Sequence, residues 1–411
     1  MMFLASMSTL DPLIPPIYLV CSIFCFGTML HTPGHHYQLR LTPFFVVLSF
    51  LALAGPDHFY FSPSLTSLWN LAICLYILHA ISLFHIEKLL APPPQPSLSS
   101  FEAWKWRCAT AYRFWGNPRL IGLEAGTRAC QPFLLPFAAS RILKLLLYYS
   151  MLTHVVPAIQ ELFIGDIRPS DVSAEHRQLI RTLLRATFSS AGLTSAPQLA
   201  SRALLIRAHT SIYWIWESLM FLDGANAILS VLFVCITRID SVADWPPLFG
   251  SPAEATSVMT FWSRFWHQLA TRPYVNIGSW LRLCCRVDRK SSVGKVLIAA
   301  TVFALSGCSH AVVAWKLGMR DWHLELHWFM LNLCACTFEK ASVALIHVTV
   351  SRLGARHLTQ REKQCVRATV GRIWLFAFFC WSVPKWQYPR MERQAIAYEE
   401  LAELREFLPG F

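Results

Sequence analysis

Charge is what this chain is short of. Of its 411 residues only 15% are Asp, Glu, Lys or Arg, against 55% hydrophobic, and its mean hydropathy is +0.41. A soluble domain carries about 25% charged and 45–50% apolar residues. The shortfall excludes an ordinary soluble enzyme and points to a polytopic membrane protein. Basic residues are also missing from the start, since no Lys or Arg precedes Arg40. A cleaved signal peptide is not expected, because such a leader needs positive charge ahead of its apolar run. No C-x-x-C occurs among the thirteen cysteines; the nearest spacings are Cys284-Cys285, Cys334-Ala-Cys336 and Cys21 to Cys25. Most lie in apolar runs, where a thiol behaves as a small hydrophobe, so a zinc framework is not indicated. Repeats, heptads and low-complexity tracts are absent too.

The charge that is present is lopsided: 36 Lys and Arg against 24 Asp and Glu give a net +12 and a pI near 9.2. Nucleic acid is not the expected partner, because the basic residues gather in loops between apolar runs, as positive-inside topology requires. An anionic cytosolic substrate such as a nucleotide-bearing thioester would also be drawn there.

About 20 apolar residues cross a bilayer as a helix. Apolar stretches near 14–30, 43–54, 68–89, 133–164, 210–236, 296–315, 324–350 and 373–383 predict an all-α protein of about eight spans. They run the length of the chain, which predicts a single integral membrane domain over 1–411, with 1–90 as N-terminal spans. The stretch at 133–164 is broken by Arg141, Lys144, His154 and Pro157, and reads either as one tilted span or as an interfacial helix plus a span. Residues 165–209 read as a polar, partly helical loop with Arg177, Arg181 and Arg185 along one face. Placing the basic loops at 90–132, 237–295 and 351–372 in the cytosol requires even numbers of spans between them and a lumenal N-terminus; the basic 165–209 loop would then be lumenal, a misfit.

Polar residues inside spans narrow the function. Glu217 and Asp223 fall in the fifth stretch, where acids usually face a bundle interior or a wet cavity, or else mark a helix end. His310 sits deep in the sixth, after Ser306, Gly307 and Ser309. Desolvation disfavours a charged imidazole, and a neutral one is a competent general base for an alcohol. The same residues also suit a histidine hydrogen-bonded between closely packed helices. Ahead of it lies Phe261-Trp262-Ser263-Arg264-Phe265-Trp266-His267-Gln268, basic and aromatic, which suits an interfacial segment dipping inward or a plain anchor.

Trp245-Pro246-Pro247-Leu248-Phe249-Gly250-Ser251-Pro252, then Phe261-Trp262-x-x-x-Trp266-His267-Gln268, then the buried Ser-Gly-x-x-His310, resemble the wax-synthase branch of the membrane-bound O-acyltransferase family. Asn117-Pro118-Arg119-Leu120-Ile121-Gly122 is similar to an upstream segment of those proteins. The resemblance covers about 100–385, with the core motifs at 245–315, and looks most like the acetyltransferases of fungal terpenoid and meroterpenoid pathways. It implies helices around a reaction tunnel and transfer of an acyl group, acetyl first, from coenzyme A to a hydroxyl of a lipophilic alcohol; the endoplasmic reticulum membrane is the expected location. Acyl-CoA is then a co-substrate, with no permanently bound cofactor and no metal. Carried onto this chain, the resemblance makes His310 the base and His267 the group that orients the thioester or meets the developing charge. Arg264, Trp266, Arg272 and Arg119 would hold the coenzyme, and Ser306, Ser309, Glu217 and Asp223 would line the tunnel. A long-chain wax ester synthase is the alternative substrate reading.

Two readings of another class compete. Di-iron enzymes bind metal through histidine boxes, and His31-x-x-x-His35-His36 and His323-x-x-x-His327 are candidates; Pro33 and Gly34 break the first set, and the ligand count falls short. A transporter would use Glu217 and Asp223 along its pathway, but no inverted hydropathy repeat is visible.

Overall fold

The computed structural model describes residues 13–53, 62–122, 134–174, 177, 196–352 and 359–407. Eleven helices are named here in chain order: α1 Ile14–His31, α2 His35–Leu51, α3 Pro63–Ile81, α4 Ser100–Trp115, α5 Leu134–Ser150, α6 Val156–Phe163, α7 Ala196–Ser230, α8 Thr271–Cys284, α9 Ser292–Lys316, α10 His323–Arg352 and α11 Gln360–Phe407. No strand occurs among the described residues, so the all-α expectation holds. Among the described residues, six helical runs are long and apolar enough to cross a membrane: Ile14–His31, Pro63–Ile86, Leu134–Phe163, Ser201–Ile236, Ser292–Lys316 and Gln364–Leu401.

Six is fewer than the eight expected. The missing two correspond to α2, short and holding Pro43, and to α10, which carries Glu325, Glu339 and Lys340. The even-number expectation therefore needs α10 to cross as well. The ambiguous stretch at 133–164 is one run, α5 and α6 joined by a π-helical turn at Met151–Val155. The polar loop expected to reach 209 is already helical from Ala196; Arg181 and Arg185 lie outside the described residues. In place of a short last span at 373–383, α11 runs unbroken for 48 residues despite Pro384 and Pro389. The break read at Pro33-Gly34 is real, for α1 ends at His31 and α2 begins at His35.

The chain divides into two compact units, 1–126 with 268–337 and 127–267 with 338–411. In the first, Phe26, Phe45, Tyr76 and Phe84 form an aromatic core, with Phe26 and Phe84 at 5.0 Å and 59°. Such pairs contribute about 0.5–1.5 kcal/mol beyond their burial. Ala52, Leu53, Ile73 and Cys74 form a second cluster, against which Val312 of α9 packs. The hydroxyl of Ser291 caps α9 by accepting from the Gly294 N–H at 2.9 Å, which fixes where that helix starts.

The second unit is built on α7 and α11. Ile206 of α7 packs with Val172 and Tyr388. Trp214 of α7 meets Phe379 and Trp386 of α11 edge-on at 5.7 Å. The buried Arg207 lies over the Tyr388 ring at 5.6 Å.

Candidate functional site

In the first unit the site begins with α8 and α9, packed side by side. Tyr274 of α8, 4% exposed, has its hydroxyl 3.1 Å from the Ser309 hydroxyl of α9. Ser309 donates its own proton to the Leu305 carbonyl at 2.8 Å, so Tyr274 is the donor between them. Burial pushes the Tyr274 phenol up to about 12; it stays protonated and keeps donating at neutral pH. This bond ties α8 to α9 one residue before His310.

The other side of His310 is set by α10. The half-buried imidazole stacks on Phe329, ring centroids 5.0 Å apart at 29°. That approach depends on Gly307: a Cβ there would stand 2.9 Å from Leu326 Cα and 3.1 Å from Phe329 Cβ, closer than packed atoms stand. Stacking covers a ring face and leaves the nitrogens at the edge. Ser306, one turn earlier on α9, is half-buried.

A polar cluster lies in the same unit where α3 ends in the π-helical turn Ser82–Ile86. Glu87 accepts from Asn276 and Ser82 through one oxygen, at 2.6 and 2.8 Å. Its other oxygen is paired with Arg272. Arg272 also donates to the Pro118 carbonyl at 3.3 Å. Arg272, expected at the coenzyme phosphates, is thus engaged within the protein, its charge met by Glu87. Asn117 pins the loop that holds Pro118 by accepting from the Ile121 N–H at 3.0 Å and donating to the Ile121 carbonyl at 2.7 Å. Arg119, on this loop, is half-buried and has no ion pair among the described residues. Burial pulls its guanidinium below the usual arginine range.

His267 belongs to the second unit, and the peptide bond from His267 to Gln268 is where the chain passes back to the first. The π-helical turn Phe261–Phe265 delivers it, closed by the Trp266 N–H on the Phe261 carbonyl at 2.8 Å. Turns of this kind are rare and recur at functional sites. Trp266 is buried, stacked on Trp214 at 5.3 Å and on Phe261 at 5.1 Å, so it packs the turn that carries His267. The edge of Phe249 meets the half-buried His267 ring at 5.7 Å and 85°. Arg264 is exposed.

Two clamps hold this turn. Gly250 donates to the Phe265 carbonyl at 2.9 Å, and a Cβ on it would lie 2.1 Å from the Arg264 carbonyl oxygen. Glu339 of α10 accepts from the Val258 N–H at 2.7 Å and the Met259 N–H at 3.0 Å. A carboxylate on the first free N–H groups of a helical turn is a strong cap. Of the two acids in α7, Asp223 is buried and accepts from Lys144 at 2.8 Å and Tyr148 at 2.7 Å, whereas Glu217 is exposed.

The site residues read from sequence thus fall into two groups: His310, Ser306, Ser309, Arg272 and Arg119 in the first unit, His267, Trp266, Arg264, Glu217 and Asp223 in the second. Sequence reading missed Tyr274, Phe329, Glu87 and Glu339. Glu339 alone left a signal, an acid within the stretch 324–350 that reads as a span. Of the rival histidines, His323 and His327 are both exposed. His31 is bonded to the Arg107 carbonyl at 3.0 Å, and His35 to Gln38 at 3.2 Å.

Residues 245–331, which hold both histidines, match the Membrane bound O-acyl transferase family. The chain is 33% identical over 177 residues to acetyltransferase ataH of Aspergillus terreus (strain NIH 2624 / FGSC A1156), 42% of this chain and 55% of that protein. It is 26% identical over 181 residues to acetyltransferase nanB of Aspergillus nanangensis, 44% of this chain and 42% of that protein. Acetyltransferase aurG of Calcarisporium arbuscula is similar over a longer stretch, 26% over 306 residues, 73% of this chain and 68% of that protein. The chain spans about half the length of the first two relatives. No solved structure matches.

Proposed function

Taking residues 245–331 as a membrane-bound O-acyltransferase segment, we propose that the protein transfers an acyl group, acetyl first among them, from coenzyme A to a hydroxyl of a lipophilic small molecule of the terpenoid or meroterpenoid kind. The observation that carries this is His310: a half-buried imidazole in an apolar membrane-length helix, inside the matched segment, held between the Tyr274–Ser309 bond and the Phe329 ring. The likeness to fungal acetyltransferases supports the acetyl donor.

In this reading His310 accepts the proton of the acceptor hydroxyl as its oxygen attacks the thioester carbonyl. His267 donates a hydrogen bond to the oxyanion or to the departing sulfur. The tetrahedral intermediate collapses, the C–S bond breaks, and the thiolate takes the proton back from His310, leaving ester and free coenzyme A. Arg119, half-buried and without an acidic partner among the described residues, is the guanidinium best suited to a phosphate; Arg264 is exposed and able to serve the same charge. Arg272 acts through Glu87, holding α8 to the end of α3. The whole chain acts as one integral membrane acyltransferase domain, in the endoplasmic reticulum.

The test is mass spectrometry of extracts from cells expressing wild type or His310→Ala, fed labelled acetate with a panel of hydroxylated terpenoids and a long-chain alcohol. A labelled acetyl ester formed by wild type and lowered about 10²–10⁴-fold in the variant is expected, the usual loss when a general base is removed. Long-chain esters of the alcohol would make the protein a wax synthase. Equal ester from both proteins would overturn the role of His310.

A further inference from the structure

Helix α7 carries polar chemistry that the reaction above does not use. At about 100° per residue, His209, Trp216, Met220 and Asp223 fall within about 60° of one another around the helix, with Tyr213 and Glu217 on the adjoining strip. The stripe faces α5: Asp223 is bonded to Lys144 and Tyr148, and the Trp216 ring meets Tyr148 at 6.1 Å and 85°. At one end Asp223 is met by both Lys144 and Tyr148. Toward the other end the partners stop. The Trp216 indole N–H and both ring nitrogens of His209 are buried without a hydrogen bond. Tyr213 stacks on the His209 ring at 5.8 Å and 11°, which leaves the in-plane nitrogens as its open edge.

A neutral imidazole has one donor and one acceptor, and a buried polar group left unpaired costs free energy that a native protein retains for a reason. Three such atoms, on two rings about two turns apart, lie along one strip of a membrane-length helix. An anionic ligand does not suit it, because Lys144 is spent on Asp223 and Glu217 stands nearby. We propose that this seam of α7 binds the hydroxyl or carbonyl of an uncharged lipophilic small molecule, with Trp216 donating and His209 donating or accepting. Resting on the acyltransferase reading, that molecule is the acceptor, recognised by its oxygens as well as by its apolar body. The acceptor class is then a polycyclic or chain lipid with at least two oxygens, which sets it apart from a simple fatty alcohol.

The experiment uses the full chain, purified in lipid-containing micelles, as wild type, His209→Phe and Trp216→Phe. Thermal unfolding is recorded alone and with each member of a panel of mono- and dioxygenated terpenoids, beside acetyl transfer to the same compounds. Dioxygenated members are expected to raise the wild-type Tm, and to raise that of His209→Phe little or not at all. The free variant should match or exceed wild type in Tm, because an unpaired imidazole has become a ring of similar size. Its kcat/KM for the dioxygenated acceptor should fall about 10–100-fold, mainly through KM, with KM for acetyl-CoA unchanged. A wild type that no panel member stabilises overturns the seam, and so does a His209→Phe protein that melts early yet keeps its kinetic constants, the mark of a structural histidine or one bonded to water. Stabilisation of wild type without any acetyl transfer would leave the seam standing and overturn the acyltransferase reading instead.

Discussion

Gly307 offers the sharpest test of how His310 is positioned. Replacing a mid-helix glycine with alanine favours the helix by about 1 kcal/mol, so local propensity alone predicts a more stable protein. Packing predicts the reverse. The new methyl would stand 2.9 Å from Leu326 Cα and 3.1 Å from Phe329 Cβ, and a backbone atom cannot swing aside. Helix α10 must therefore move off α9, at an overpacking cost of about 1–3 kcal/mol. The net is a loss of up to about 2 kcal/mol, a few degrees in Tm at about 2–4 °C per kcal/mol. Activity should suffer more than stability, because the same shift draws Phe329 away from His310, and a displacement near 1 Å costs on the order of 10²-fold. Gly27 is the control. A Cβ there meets only Ala111 Cβ at 3.6 Å, ordinary contact, so Gly27→Ala should hold or raise Tm and leave turnover alone. Thermal unfolding and initial rates of both variants decide it. If Gly307→Ala is as stable and active as Gly27→Ala, the close approach of α9 and α10 has no part in holding the histidine.

Glu339→Ala strips both acceptors from Val258 and Met259 and should cost about 1–3 kcal/mol, with faster proteolysis in 237–267; Glu339→Gln, keeping one oxygen, should fall between, and a wild-type Tm for the Ala variant would refute the clamp. Glu102 accepts from the Ser99 N–H and hydroxyl, which holds its carboxyl below the usual glutamate range. Its support for the start of α4 is therefore complete above the ordinary carboxylate pKa and is lost as pH falls through the lower folded value. Protease cleavage near residue 100 should rise at acid pH in wild type, and Glu102→Gln should show the raised rate already at neutral pH; a pH-independent pattern in wild type would refute the linkage.

What the sequence determined by itself is the part of the problem that runs along one element. Too little charge and too many apolar residues marked the chain as one of membrane-length helices, because a backbone in lipid must satisfy its own hydrogen bonds. A histidine amid Ser306, Gly307 and Ser309 stood out for the same reason, and so did the break at Pro33-Gly34. The span count was less legible: α2 and α10 carry too mixed a composition for hydropathy to decide. Only the tertiary structure decided which side chains meet. Arg272 reads as a phosphate ligand until Glu87, 185 positions away, is found against it. Tyr274 and Phe329 are unremarkable in the sequence, yet they flank the turn that bears His310. Periodicity records which face of a helix is buried, whereas the partner on that face is chosen by packing across distant chain segments, and local spacing holds no record of that choice.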